Sequence, residues 1–339
     1  RRCVIDTGFI LHILMLISLL SACATPIGVR KVGTEKAYQE INASALMGSE
    51  ISPDTKIVLH RFDLLEQFDD DPADVISVIH EKAIHDRRRD LRFALAELCY
   101  YYGEELPKAG RLIGNGRRIV PEDYFLMSAV YAYYYLFSIG GEDRPGHYDR
   151  RFRFACDLYN RALGKGLATG KKGRMEFKDC VRELPEGRLS ITLKGNFLPW
   201  PMEDFQDVTP ADDYAVRGLT VRNRTPGIGS PLVAIHKKTP EAPKGLPIPI
   251  TAFLRLEGDV SDLENGSEKA SLELYSAYEE ADITINDHLV PLETDSTAPL
   301  AYRLEDDRIW KQGLRNFLTV KKQDPELVHI QPYQPDRIP

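Results

Sequence analysis

The chain has 339 residues, of which 43% are hydrophobic and 28% are charged, the balance of a globular protein and not of a disordered or fibrous one. That length is enough for about two domains. The net charge of −7, from 44 basic and 51 acidic residues, argues against nucleic-acid binding, because a phosphate backbone is normally met by a basic face. The arginine run 87–89 is flanked by Asp86 and Asp90 and is interpreted as a solvated helix start.

The N terminus carries the pattern of a bacterial export signal. Arg1 and Arg2 precede an apolar run over 9–20, FILHILMLISLL. A helix of that length rises about 18 Å, short of a hydrocarbon core of about 30 Å, so a cleaved signal is favoured over a permanent membrane helix. Residues 1–22 are therefore predicted to be a signal peptide. Since the chain starts with Arg1 and not Met, its first residues are expected to be missing.

Cys23 is the predicted lipidation site. It closes the segment LSAC at 20–23, which resembles the lipobox of bacterial lipoproteins. Small residues let the backbone enter a peptidase groove, and the thiol accepts a diacylglyceryl group, whose acyl chains contribute about 0.8 kcal/mol per buried methylene to membrane anchoring. By resemblance to enterobacterial lipoproteins, in which an Asp next to the Cys retains the protein in the inner membrane, Ala24 suggests an outer-membrane lipoprotein facing the periplasm or the surface. Residues 23–33 are predicted to be an anchor linker.

Residues 34–175 are predicted to form a helical domain, because hydrophobic residues recur with a period near 3.6. One stripe covers 91–102. The next helix starts at Pro121 and stops before Gly140, and its tyrosine-rich body is apolar nearly all round, as in a helix packed on several sides. Those tyrosines are interpreted as core, with a ligand groove as the alternative. The expected arrangement is a bundle of αα-hairpins, loosely TPR-like, without a 34-residue repeat. Other helices are predicted at 34–46, 53–63, 72–84 and 148–163.

Residues 176–339 are predicted to form an antiparallel β-rich unit with a late helix, so the fold class is α+β. Leu189, Ile191 and Leu193 alternate with polar residues, as in a strand with one buried face. The pair at 286–287, Asn-Asp, predicts a tight hairpin. Further strands are predicted at 215–223, 232–237, 250–257, 269–277, 282–285 and 327–330, and the late helix at 307–318.

The five cysteines show no spacing suited to zinc. Signal cleavage would remove Cys3, and lipid would occupy Cys23. An oxidising periplasm permits one disulfide among Cys99, Cys156 and Cys180. Cys99 and Cys156 also fall on apolar helix faces, which indicates buried thiols, and both alternatives stay open at this point.

Known catalytic, cofactor and metal motifs are absent from the sequence. Gly227-Ile228-Gly229 lacks the third glycine of a dinucleotide fingerprint and is interpreted as a flexible hairpin loop. The nucleophile elbow, the zinc-protease helix motif and the P-loop do not occur. His60, His80 and His85 lack the i, i+4 spacing for a shared metal and are interpreted as surface or packing residues. We therefore expect no catalytic residue, no metal and no cofactor in this chain.

Three segments near the C terminus resemble a family of Gram-negative lipoproteins of the α/β-hydrolase type. In that family, a Tyr-x-Pro-x-x-Ile-Pro segment leads into the first hydrolase core strand and a His-Gly oxyanion loop. This chain stops at Pro339, so the resemblance implies that the nucleophilic Ser, the acid and the His lie beyond it, in a hydrolase domain that the chain lacks. The helical segment 91–102 also fits the family's N-terminal region. The three segments are TPGIGSPLVA at 225–234, VPLETDSTAPLAY at 290–302 and IQPYQPDRIP at 330–339.

Two hypotheses follow from these observations. The resemblance implies the accessory, N-terminal region of a lipid-anchored serine hydrolase, esterase- or lipase-like. The alternative is a non-catalytic lipoprotein whose helices bind a peptide or an envelope protein. The expected partners are membrane lipid through Cys23, and either the missing hydrolase domain or an envelope protein.

Lipidation can be tested with Cys23→Ser. The variant lacks the thiol that accepts the diacylglyceryl group, so it should remain an uncleaved precursor that incorporates no labelled palmitate. Cys3→Ser is the matched control and should be processed normally. Normal cleavage and membrane anchoring of the Cys23→Ser protein would refute the lipobox interpretation.

Overall fold

The computed structural model describes most of the chain between Gly28 and Asp306, and the predicted signal peptide, Cys23, and the helix and strand predicted at 307–318 and 327–330 lie outside the described residues. Contacts divide the chain into Arg1–Asn42, which contains helix α1 (Thr34–Ile41), and Ala43–Pro339, which contains the other described elements. The described ranges are 28–48, 50–112, 116–138, 145–146, 148–170, 173–239 and 245–306.

The second unit begins with helices that lie close to the predicted positions, except for the helix Leu65–Asp70, which was not predicted. Proline occupies the first turn of three of them. The N–H groups of a first turn have no partner within the helix, so the missing N–H of proline costs no hydrogen bond there. Ser52 and Asp71 cap the helices that start at Pro53 and Pro72. The α-helices are α2 (Pro53–Arg61), α3 (Leu65–Asp70), α4 (Pro72–His85), α5 (Arg89–Glu105), α6 (Pro121–Phe137) and α7 (Arg150–Leu167).

Helix α6 is the central helix, as its apolar composition predicts. Tyr131, Tyr134 and Tyr135 are at most 1% exposed, so the tyrosines in its body belong to the core. Helices α5 and α7 pack against it on two sides. Gly166 of α7 allows a close approach, since an added Cβ there would lie 2.7 Å from the backbone nitrogen of Leu126.

A buried carboxylate joins the start of α2 to α5. Glu97 has no exposed surface and accepts hydrogen bonds from the backbone N–H groups of Ala45 and Ser52 at 3.0 and 2.9 Å. The hydroxyls of Ser52 and Thr55 donate to its second oxygen, each at 2.5 Å. Burial raises the pKa of Glu97, and these four donors act against that rise.

The β-rich part is a six-stranded sheet, whose strands lie in the order β3 (Cys180–Leu184), β4 (Gly187–Phe197), β9 (Glu268–Ser276), β8 (Leu246–Leu256), β7 (Ser230–His236) and β5 (Phe205–Pro210). The sequence predicts an antiparallel unit, but the sheet is mixed, since β4 and β9 run parallel while the other neighbouring strands run antiparallel. Alternation within one strand sets its buried face and not the direction of a distant partner, so the sequence could not specify this pair.

The prediction of a strand at 215–223 is wrong. These residues form irregular structure with three bends, and strand β6 (Arg224–Thr225), which follows them, pairs with β12 (Thr294–Asp295). Side-chain bonds hold the segment in place of a strand ladder: Arg222 donates to Asp295 and to the carbonyl of Ala211. Strands β3 and β5 were not predicted.

The predicted Asn-Asp hairpin is confirmed. Asn286 and Asp287 have φ values of 48° and 62° and connect β10 (Asp282–Ile285) to β11 (His288–Pro291). Positive φ at both central residues is the geometry that matches the twist of the flanking strands. The Asn286 amide donates to the carbonyl of Phe137 at 2.8 Å, which ties the hairpin to the end of α6.

One hydrophobic core extends through helices and sheet, so the predicted boundary at 175/176 does not divide it. Two further α-helices of the described residues follow α7: the short α8 (Val260–Glu264) and α9 (Thr297–Asp306). Along β7, Leu232 and Ala234 belong to this core, while Val233 and Ile235 form a second cluster with Ala298 of α9. Strand β7 therefore has a packed layer on both of its faces.

Tyr159 of α7 completes an interrupted edge of the sheet. The β7–β8 ladder ends at the pair Ser230 and Ala252, whereas β8 continues to Leu256. Beyond that point the N–H of Leu254 donates to the Tyr159 hydroxyl at 2.7 Å, and this hydroxyl donates to the Leu254 carbonyl at 2.8 Å. One phenol thus satisfies both backbone groups that a strand partner would otherwise bind.

Tyr159→Phe should lower the free energy of unfolding by about 1–3 kcal/mol, because it leaves the buried N–H and C=O of Leu254 without partners. Urea unfolding followed by circular dichroism measures the loss. Tyr278→Phe is the matched control, because that side chain is 69% exposed. An equal effect of the two substitutions would contradict the edge-capping role.

Candidate functional site

The residues singled out in the sequence do not come together in one site. His60 and His85 are exposed and His80 is buried. The described part of the chain contains no group of three or more His, Cys, Asp or Glu side chains placed to hold a metal ion.

The described cysteines are free thiols, so the disulfide alternative is not realised among Cys99, Cys156 and Cys180. Cys99 and Cys156 are buried, as their helix positions indicate, and Cys180 is half-buried. Burial raises the pKa of Cys156 to about 12, which keeps this thiol protonated and unreactive at neutral pH.

The loop Gly227–Gly229 connects β6 to β7 and packs against the segment that precedes β12. The N–H of Ile228 donates to the carbonyl of Pro291 at 2.8 Å, and the N–H of Glu293 donates to the carbonyl of Ile228 at 2.9 Å. An added Cβ at Gly227 would lie 2.4 Å from that opposing backbone, so the loop needs a glycine for this close approach.

Glu293 lies behind this contact, and we call Glu293 with Asn160, Arg153, Arg224 and the loop 227–229 the Glu293 junction. Glu293 is 1% exposed. It accepts from the Asn160 amide at 2.6 Å, from Arg224 at 2.7 Å and from Arg153 at 3.3 Å. Asn160, on α7, also donates to the carbonyl of Gly227 and accepts from the N–H of Gly229 at 2.7 Å.

The junction connects helix α7 to the loop 227–229 and to the segment around Glu293, because the hydrogen bonds of Glu293 and Asn160 run between these parts of the chain. A buried carboxylate that loses its partners costs about 3–5 kcal/mol. The same place brings together two of the segments that carry the hydrolase resemblance, 225–234 and 290–302. The third, 330–339, lies outside the described residues.

A second arrangement of polar groups surrounds an open cleft of about 390 Å³. We call it the acidic cleft; it lies between α4, the end of α5, the start of α6 and the turn between β3 and β4, with the short pair β1 (Arg111–Leu112) and β2 (Arg118–Ile119) at its rim. Its volume falls within the range of small-ligand sites. The polar residues that line it are Asp71, Asp74, Ser77, Tyr102, Arg111, Tyr124 and Glu186.

The cleft's polar groups are only partly used by the protein. The Ser77 hydroxyl donates to one Glu186 oxygen at 2.5 Å, and the Arg111 guanidinium donates to the Tyr102 hydroxyl at 3.4 Å. Tyr124 is 4% exposed, and its hydroxyl has no hydrogen-bond partner among the described residues. An acceptor, a donor and two aromatic rings are therefore available to a ligand.

Burial sets the protonation of these groups. It raises the pKa of the Glu186 carboxyl; the Ser77 hydrogen bond opposes this rise, and the charges of Glu264 and Glu81 add to it. Burial also raises the pKa of Tyr124, so its hydroxyl remains a donor at physiological pH.

The cleft could be anticipated only in part. The sequence suggested a ligand groove as one alternative for the tyrosines of α6, and the structure places Tyr124, at the first turn of that helix, in the cleft wall. Glu186, which faces Tyr124, comes from a turn more than sixty positions further along the chain, and no local sequence pattern predicts that it lies in the cleft.

Comparisons with protein families, with curated proteins and with solved structures find no match for this chain. Among the helices of the described residues, none is long and apolar enough to span a bilayer.

His80, on the buried side of α4, generates a pH prediction. Its Nδ1 lies 2.7 Å from the Tyr131 hydroxyl, and its buried Nε2 has no hydrogen-bond partner among the described residues. Burial lowers the pKa of His80 from 6.5 to about 4. Between these pH values His80 is protonated in the unfolded chain but neutral in the folded chain. The free energy of unfolding must therefore fall as pH decreases through this window.

His80→Gln should remove this pH dependence. From pH 6.5 down to pH 4, the wild type should lose about 3 kcal/mol more stability than the variant. Urea unfolding at a series of pH values measures the difference, and His60→Gln, an exposed position, should keep the wild-type slope. Identical slopes for the wild type and His80→Gln would contradict the assignment.

Proposed function

We propose that this chain is the envelope-anchored accessory region of a serine hydrolase, attached to lipid through Cys23 and acting beside an esterase- or lipase-like catalytic domain. The N-terminal LSAC segment supports the anchor. The resemblance of 225–234, 290–302 and 330–339 to lipoproteins of the α/β-hydrolase type supports the accessory role.

The observation that carries this proposal is the meeting of two resemblance segments at the Glu293 junction. Strand β6, at the start of 225–234, pairs with β12, which lies within 290–302. The Thr251 hydroxyl donates to the carbonyl of Glu293 at 2.6 Å, so the pair is also held against β8. Segments that are far apart in sequence therefore form one packed structural unit, as parts of a shared fold would.

This unit leads directly into α9. Asp295 caps the helix by accepting from the N–H groups of Thr297 and Ala298, each at 3.0 Å. Ala298 packs against Val233 and Ile235 on the outer face of β7. The accessory region would thus close its described part with a helix that is capped by Asp295 and packed on the sheet.

A non-catalytic binding lipoprotein is the second candidate, and the acidic cleft is the observation that favours it. The cleft has a ligand-sized volume and polar groups that the described residues leave unpaired. On this account the helical part recognises a peptide or an envelope protein, and the sheet supports it.

A hydrolase assay separates the two candidates. Residues 24–339 and the polypeptide encoded by the complete reading frame are compared with a short-chain p-nitrophenyl ester and a fluorophosphonate probe. The accessory role predicts turnover and labelling only in the longer polypeptide. A reading frame that stops at Pro339, or a longer polypeptide that neither turns over nor labels, would favour the binding lipoprotein.

A further inference from the structure

The acidic cleft has an excess of negative charge at a site with apolar walls. Three carboxylates, from Asp71, Asp74 and Glu186, line it against the single guanidinium of Arg111. Two of the carboxylates are partly engaged: Asp71 caps α4 through the N–H of Asp74 at 3.3 Å, and Asp74 accepts from the Gln67 amide at 2.6 Å. Glu186 keeps one oxygen without a hydrogen-bond partner among the described residues.

Two tyrosines form an aromatic corner in this wall. The rings of Tyr102 and Tyr124 meet edge to face, with their centroids 4.7 Å apart. A cation held over a tyrosine face is attracted by the negative face of the ring, and more strongly when it is shielded from water. Tyr124 as a whole is 4% exposed, and its hydroxyl, which has no hydrogen-bond partner among the described residues, adds a polar group to the cleft wall.

Apolar side chains complete the wall. Leu106 and Ile119 line the cleft and are 7% and 5% exposed. A long basic side chain buries its methylene stem along such a surface and keeps its charged end among acceptors. An anion would meet three carboxylates here, and a purely apolar ligand would leave Glu186 desolvated without a partner.

We propose that the acidic cleft binds the lysine or arginine side chain of a basic peptide. The cationic head lies between Glu186 and the tyrosine corner, and the aliphatic stem lies against Leu106 and Ile119. The inference rests on the cleft alone and applies whether or not a hydrolase domain accompanies the chain. A free polyamine shares the cationic chemistry, so the test must separate it from a peptide.

Substitution of Arg111 provides a test of the proposal, because it should increase affinity, whereas damage to the fold would decrease it. Its guanidinium is the one cation lining the described cleft and repels a cationic ligand. Arg111 and its strand neighbour are exposed, so a substitution there removes charge with little loss of packing. Removing this charge should strengthen binding, whereas removing the Glu186 charge should weaken it.

The experiment is isothermal titration of residues 24–339 with a blocked Gly-Lys-Gly peptide, the same peptide with acetyl-lysine, and spermidine. The lysine peptide should bind, and acetylation should abolish binding. Glu186→Gln should weaken it at least about tenfold, because it removes the charge from the hydrogen bond to the lysine ammonium. Tyr124→Phe should weaken it severalfold, and Arg111→Gln should tighten it severalfold.

Glu183→Gln is the matched control, since Glu183 lies on the same β3–β4 hairpin, is exposed and pairs with Arg188 at 2.6 Å. It should bind as the wild type does, and circular dichroism should show every variant folded. The proposal is overturned if the lysine peptide does not bind, if acetylation has no effect, or if the Glu186 and Arg111 variants leave affinity unchanged. Binding of spermidine with no binding of the peptide would also overturn the assignment to a peptide.

Discussion

The buried carboxylate of Glu293 is the interaction on which the assembly of the second unit depends. It sits where α7, the loop 227–229 and strand β12 meet, and it needs Asn160 and Arg224 to offset its loss of water. Asn160 holds the loop through the carbonyl of Gly227 and the N–H of Gly229. Asn160 lies on helix α7. If the helical layer separated from the sheet, the Glu293 carboxylate would therefore either become exposed or stay buried without this hydrogen-bond donor.

The same solution recurs at other contacts between the layers. Tyr159 of α7 satisfies the backbone of Leu254 in β8. Tyr134 of α6 donates to Glu268 in β9 at 2.9 Å, and Glu268 also accepts from the N–H of Gly258 at 3.0 Å. Burial raises the pKa of Glu268, against which these hydrogen bonds act. Buried polar groups thus fix the position of each layer on the other, while the hydrophobic contacts between them supply most of the stabilisation.

Local signals predicted the elements well where one residue pattern was sufficient. Pro121 marked the start of α6, and the pair Asn286-Asp287 marked a turn whose positive φ values few other residues adopt. Patterns failed where the partner lay far along the chain. The alternating segment 215–223 found no neighbouring strand, and its Arg222 bonds to Asp295 instead. The direction of β9 beside β4 and the approach of Glu186 to Ser77 likewise depend on residues that no window of sequence contains together.

The central claim is that the helices and the sheet of the second unit form a single cooperative structure, although the sequence reads as two domains. The direct measurement is denaturant unfolding of Trp310→Phe, which leaves Trp200 as the only tryptophan, packed beside Phe205 of β5. Circular dichroism at the helical band and Trp200 fluorescence are followed together. The account predicts that the two transitions coincide in midpoint and slope, as in two-state unfolding. Loss of the helical signal at a denaturant concentration that leaves Trp200 unchanged, or the reverse order, would contradict it.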